Sequence, residues 1–169
     1  QEGAEEDAAY AGALMGLRAR LDADLKESLK AGEKVRASAI RMLLAAVKTR
    51  EVAEDRRGDR RVPLSDPEVF QVIASACKQR RDSIEQFRAG GRQDLVEKET
   101  AELAILEAYL PRALVPEELR AKVVEAIRVT GASSPRDMGK VMSRLMPEVA
   151  GRADGKLVSE MVREELGKT

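Results

Sequence analysis

Between Met138 and Leu166 the apolar residues fall three and four positions apart in two runs, a spacing that admits helices and excludes strands. Met138, Val141, Met142, Leu145 and Met146 make the first run; Leu157, Val158, Met161, Val162 and Leu166 make the second. Each run draws one apolar stripe down a short helix. The punctuation agrees with the period. Gly131 stops the preceding helix, and Ser134-Pro135-Arg136-Asp137 opens the next. Ser134 can cap, Pro135 sits where a missing N–H costs nothing, and Asp137 reaches back to close a capping box. Pro147 and Gly151 end that helix, and Asp154 is a good N-cap for the last one.

The same logic runs upstream. Leu17, Leu21, Leu25 and Leu29 step by four toward Ala31-Gly32, giving a short amphipathic helix. A second helix, from about Glu33 to Val52, is expected to turn Val35, Ile40, Leu43, Leu44 and Val47 inward and Arg36, Arg41, Lys48 and Arg50 mostly outward. After the charge-dense loop at 55–61, Leu64-Ser65-Asp66-Pro67-Glu68-Val69 is a full helix start, with a Ser65/Glu68 capping box and a Leu64/Val69 staple. That helix should reach about Ala89, burying Val69, Ile73, Ala76, Cys77, Ile84 and Phe87, with Gly90-Gly91 closing it. A further helix carries Leu95, Leu103, Leu106, Tyr109 and Leu110 as far as Pro111. Val123, Val124 and Ile127 give the helix after Pro116 its inner side, although Val115 supplies no capping oxygen at its start. The expected fold is all-α: a helical N-terminal bundle over 15–112, then a compact three-helix C-terminal domain over 113–169. Residues 1–14 carry four acids and no base and read as a lead-in, either a tag or a disordered extension, before a natural start at Met15.

Absences narrow the chemistry. The chain has no histidine and one cysteine, so no Ser-His-Asp or Cys-His arrangement and no usual zinc set can be assembled. Cys77 lies on an apolar stripe and reads as a packed thiol rather than a nucleophile. Gly139-Lys140 has a hint of a phosphate loop, but Val141 stands where the hydroxyl is required and Pro135 where the loop must flex. No catalytic residue, metal site or cofactor is expected. No apolar run spans a bilayer, and no signal peptide precedes the helices, which points to the cytoplasm and no membrane partner. Thirty basic residues balance thirty acidic ones. The remaining function is binding, and aromatic residues at 2% leave little for stacking on unpaired bases. Basic side chains and helix starts can instead follow the phosphates of a folded RNA.

Two places exceed the needs of a plain helical hairpin. Gly139 falls inside a helix, where it costs about 1 kcal/mol relative to alanine, so either close helix packing or ligand approach should use the missing side chain. Gly151-Arg152-Ala153-Asp154-Gly155-Lys156 sets cations at a helix start, where anions are favoured. Upstream, a face formed by Lys78, Arg80, Arg81, Arg88 and Arg92 is basic on balance, although a solvated helix surface has the same composition.

These stretches carry a resemblance. MGKVM at 138–142, GRADGKLV at 151–158, IRMLLAAVK at 40–48, KQRRDSIEQFRAGGRQDLV at 78–96 and ILEAYLP at 105–111 resemble, in order, the GatB/YqeY family. Its members are free-standing YqeY-like proteins and the tail of the B subunit of glutamine-dependent tRNA amidotransferases. The resemblance spans Met15 to Leu166 and implies a two-part helical protein whose C-terminal part helps hold tRNA while chemistry happens elsewhere. Gly139, Lys140, Gly151, Asp154 and Lys156 fall on the shared signature, with Arg144 and Arg152 beside them. It also implies a tRNA-amidotransferase or synthetase-type protein partner, and an accessory place in glutamine-dependent carbon–nitrogen ligation. A protein-interaction adaptor using Met138, Met142, Met146 and Met161 is the alternative reading of the same helices.

Overall fold

A computed structural model describes residues 16–56 and 63–168; the lead-in at 1–14 and most of the 55–61 loop lie outside it. Among the described residues the chain is helical throughout, with no strand. The helices are α1 Leu17–Ala31, α2 Lys34–Arg56, α3 Asp66–Ala89, α4 Gln93–Glu107, α5 Pro116–Thr130, α6 Met138–Val149 and α7 Gly155–Leu166, with a single 3₁₀ turn at Pro135–Asp137. They gather into two compact units, Gln1–Tyr109 and Leu110–Thr169.

In the first unit, Leu21, Ile40, Leu43, Val47, Val69, Ile73 and Cys77 form a core with almost no solvent contact. The α1–α2 turn is closed by Gly32 in the left-handed conformation, φ 73°, which a residue with a Cβ adopts at a cost. The expected stripe fails in its last turn: Leu29 is 54% exposed, and Ser28 takes the buried position instead. Burial of that hydroxyl is tolerated because Ser28 Oγ donates to the Asp24 carbonyl at 2.7 Å. Val35, expected inside, is exposed as well, since it lies one turn outside the face that α2 packs. The start of α3 follows the expected box, with Glu68 accepting from the Ser65 backbone N–H at 2.7 Å and from its hydroxyl at 2.6 Å.

The second unit is built on Leu119, Val123, Val141, Leu145, Val149, Val158, Val162 and Leu166. Met138, Met142 and Met146 pack against this cluster and Met161 lies within it, so the methionines serve the core rather than an outer surface. Val124 and Leu157, expected inside, face outward. Pro147 does not end α6: the helix continues through it to Val149, and Ala150 and Gly151 (φ 70°) make the turn. Val115 cannot cap with its side chain, yet Glu118 still accepts from the Val115 N–H at 3.2 Å, so half of the reciprocal box survives.

Candidate nucleic-acid interface

Asp137 and Asp154 organise the two corners of the second unit that the sequence marks. Asp137 accepts from the backbone N–H groups of Ser133 and Ser134 and from the Ser134 hydroxyl, each at 3.1 Å. These donors hold its carboxyl below the usual carboxylate range. Asp154 accepts from the N–H groups of Lys156 at 2.9 Å and Leu157 at 3.3 Å. The start of α7 therefore carries its own anion, as the expected Asp154 cap requires, and two of its N–H groups are already bound.

Gly139 and Gly155 open these helices, and a Cβ added to either would meet nothing within 4 Å. Close packing therefore does not explain Gly139; its backbone lies open to solvent. Lys140 is exposed beside it and forms no ion pair among the described residues, and the same holds for Arg136 and Arg163. Lys156 is 81% exposed, with Glu160 at 4.0 Å. Arg144 is held by Glu148 at 2.5 Å. Arg152 turns inward, its Nε donating to the Arg112 carbonyl at 3.1 Å while its own carbonyl accepts from the Leu114 N–H at 2.8 Å. Gly139 and Gly155 stand at the starts of successive helices, and the 12 residues of α6 put about 18 Å of helix between the two corners.

The charges of α5 and its approach contrast with these. Arg112 pairs with Glu118, Arg120 with Glu164 and Glu165, Lys122 with Glu148 and Arg128 with Glu125. Among the described residues of this unit the cations without an ion pair are thus Arg136, Lys140, Arg152 and Arg163, on the 3₁₀ turn, α6, α7 and the bend between them.

The upstream face divides differently from expectation. Arg80 is not on an exposed face: its guanidinium lies between Glu99 at 3.1 Å and Glu102 at 2.9 Å, with Met42 Sδ at 3.6 Å. Glu102 is only 4% exposed, so this is an internal ion pair joining α3 to α4. Arg81 pairs with Glu107 at 2.5 Å and Arg92 with Asp94 at 2.8 Å, both on the surface. Of the five, Lys78 and Arg88 are exposed without an ion-pair partner among the described residues. Exposed cations also recur on α2, two of them, Arg41 and Lys48, at positions expected outward. Lys34, Arg41 and Lys48 are exposed, whereas Arg36 and Arg50, also expected outward, are half-buried, with Arg36 held by Glu33 and Arg50 donating to Gln71. The signal was present as basic residues at a seven-residue interval.

Cys77 is fully buried and its thiol is pushed up to about 11, chiefly by desolvation. Among the described residues no group of histidine, cysteine or acidic side chains could hold a metal ion. No helix there is long and apolar enough to cross a membrane.

The family model described as Yqey-like protein matches residues 18–166, which includes both corners and every helix except the first residue of α1. The chain belongs to the YqeY-like family. This YqeY-like chain is similar to the protein named altered inheritance of mitochondria protein 41, mitochondrial, from several fungi. It is 31% identical to that of Pyrenophora tritici-repentis over 152 residues, covering 88% of this chain and 80% of the relative. With the Kluyveromyces lactis protein it shares 34% over 141 residues, 82% of this chain and 69% of the relative. The link to the amidotransferase B-subunit tail is consistent with YqeY-like membership.

Proposed function

We propose that this YqeY-like protein is a non-catalytic accessory module that binds tRNA through the 3₁₀ turn, α6 and α7. The observation that carries the reading is the partition of charge in the second unit. Among the described residues Arg136, Lys140 and Arg163 form no ion pair and Lys156 has only Glu160 at 4.0 Å, beside the open backbones of Gly139 and Gly155, whereas the cations of α5 are paired with carboxylates. Such a surface suits phosphates, and a folded RNA supplies them in a fixed array. Arg144, Arg152 and Asp154 position this surface, and Gly151 turns the chain for it. A tRNA amidotransferase or synthetase-type enzyme is the protein partner this reading implies, with the ligase chemistry left to that partner. The cytoplasm is the compartment we assign; the fungal relatives are named as mitochondrial.

Titration of tRNA at increasing salt tests the reading. Four phosphate contacts predict a fall in affinity of roughly 100-fold between 50 and 200 mM salt. Lys140→Ala and Lys156→Ala should each weaken binding and flatten the salt dependence by about one contact. Absence of binding at low salt, or binding indifferent to both substitutions, defeats it. Formation of amidated product by the purified protein with charged tRNA, glutamine and ATP would overturn the non-catalytic part.

A further inference from the structure

On α2, Lys34, Arg41 and Lys48 recur every seven residues. That interval returns each side chain to one face with a drift of only about 20° per step. At 1.5 Å per residue they stand about 10.5 Å apart and cover about 21 Å of helix. Ser38 and Ala45, on the same face, are exposed and small, so nothing bulky separates the helix backbone from an incoming surface. The face carries no carboxylate between Lys34 and Lys48. Lys34 and Arg41 have no ion-pair partner among the described residues, and Lys48 has only Glu51 at 4.0 Å, a carboxylate already engaged by Arg18.

We propose that this face of α2 is a second RNA contact, which follows the phosphate backbone of an RNA double helix. It rests on the tRNA reading for its ligand class, but it lies in the other unit and on other residues. The chemistry favours a duplex. No aromatic residue occurs anywhere on α2, so unpaired bases find no stacking platform. A straight row of cations with a hydroxyl among them matches recognition by backbone shape. Val35 and Met42 are exposed on the flank of this row, and two separate apolar side chains give little to insert into a bilayer.

The test uses the full chain with a 20-base-pair RNA duplex, a single strand of the same length, and vesicles of anionic phospholipid. The variant Lys34→Gln/Arg41→Gln/Lys48→Gln keeps good helix formers at exposed sites; a control, Lys26→Gln/Lys98→Gln, lowers net charge elsewhere in the unit. The expected result is duplex bound more tightly than single strand, a loss of roughly 10- to 100-fold in the triple variant at moderate salt, a salt slope shallower by about two to three contacts, and little change in the control. Circular dichroism confirms that each variant is folded. An unchanged duplex affinity and slope in the triple variant overturns the proposal, as does a control that loses as much, or vesicle binding without duplex binding. If Lys140→Ala and Lys156→Ala abolish tRNA binding while the triple variant does not, the α2 contact fails and the tRNA reading stands. The reverse pattern sinks the α6–α7 surface and keeps the α2 contact.

Discussion

Replacing Arg80 with methionine separates a structural cation from an RNA-binding one. The sequence alone sets Arg80 beside Lys78 and Arg81 on a basic face, and a phosphate contact there would make Arg80→Met a binding mutant. The structure gives it another role. Its guanidinium joins Glu99 and the nearly inaccessible Glu102, and the substitution leaves Glu102 buried without its cation. Breaking a buried ion pair from one side costs about 3–5 kcal/mol. The Arg80 side chain is itself 20% exposed, so water reaches the site and the expected loss falls to about 2–3 kcal/mol. With a urea slope near 2 kcal/mol per molar, the unfolding midpoint should drop by about 1–1.5 M. Adding Glu102→Leu removes the stranded carboxylate and should recover much of the loss. At a temperature where both proteins are folded, tRNA affinity should change less than twofold. A variant as stable as the parent but tenfold weaker for tRNA would refute the argument and return Arg80 to the binding face.

Other perturbations follow from the same geometry. Asp154→Ala should cost about 1 kcal/mol through the lost cap, whereas Asp154→Asn should cost a few tenths and raise tRNA affinity by removing a negative charge; thermal melts and filter binding read both. Gly139→Ala should stabilise the second unit by about 0.5 kcal/mol, since its Cβ meets nothing, yet weaken tRNA binding if RNA approaches that backbone. Glu51 is held below the usual carboxylate range, first by its hydrogen bond from Arg18 and also by the Leu64 N–H. Its contribution is therefore present above the unfolded value of about 4.5 and lost as pH falls through the lower folded value. Urea midpoints measured downward from pH 5 should fall for the parent and fall less for Arg18→Ala.

Helix existence was legible because periodic apolar residues and local caps act within a few residues of one another. Ser65 with Glu68, Ser134 with Asp137, and Asp154 appear in the structure where the spacing sets them. Which edge of a stripe is buried depends on the neighbouring helix, so the period alone points Leu29, Val35, Val124 and Leu157 inward while the fold leaves them exposed. Pro147 has the look of a stop in the sequence, but it removes only one helical N–H and the chain continues for a further half-turn. Charges were least legible. Arg80, Arg81 and Arg92 meet carboxylates, most from another helix, that no local pattern reveals, whereas the regular interval of Lys34, Arg41 and Lys48 needed only to be counted.

The paired hydrogen bonds between Arg152 and the chain at Arg112 and Leu114 have a practical consequence for where the second unit can be cut. A fragment begun at Ala113 would retain all three helices but lose the carbonyl that receives the Arg152 guanidinium. One begun at Pro116 would lose the second tie too. Trimming by helix boundaries would thus unfasten the bend between α6 and α7 from a distance of forty residues, and a protease nicking the entry segment would loosen a corner it never touches.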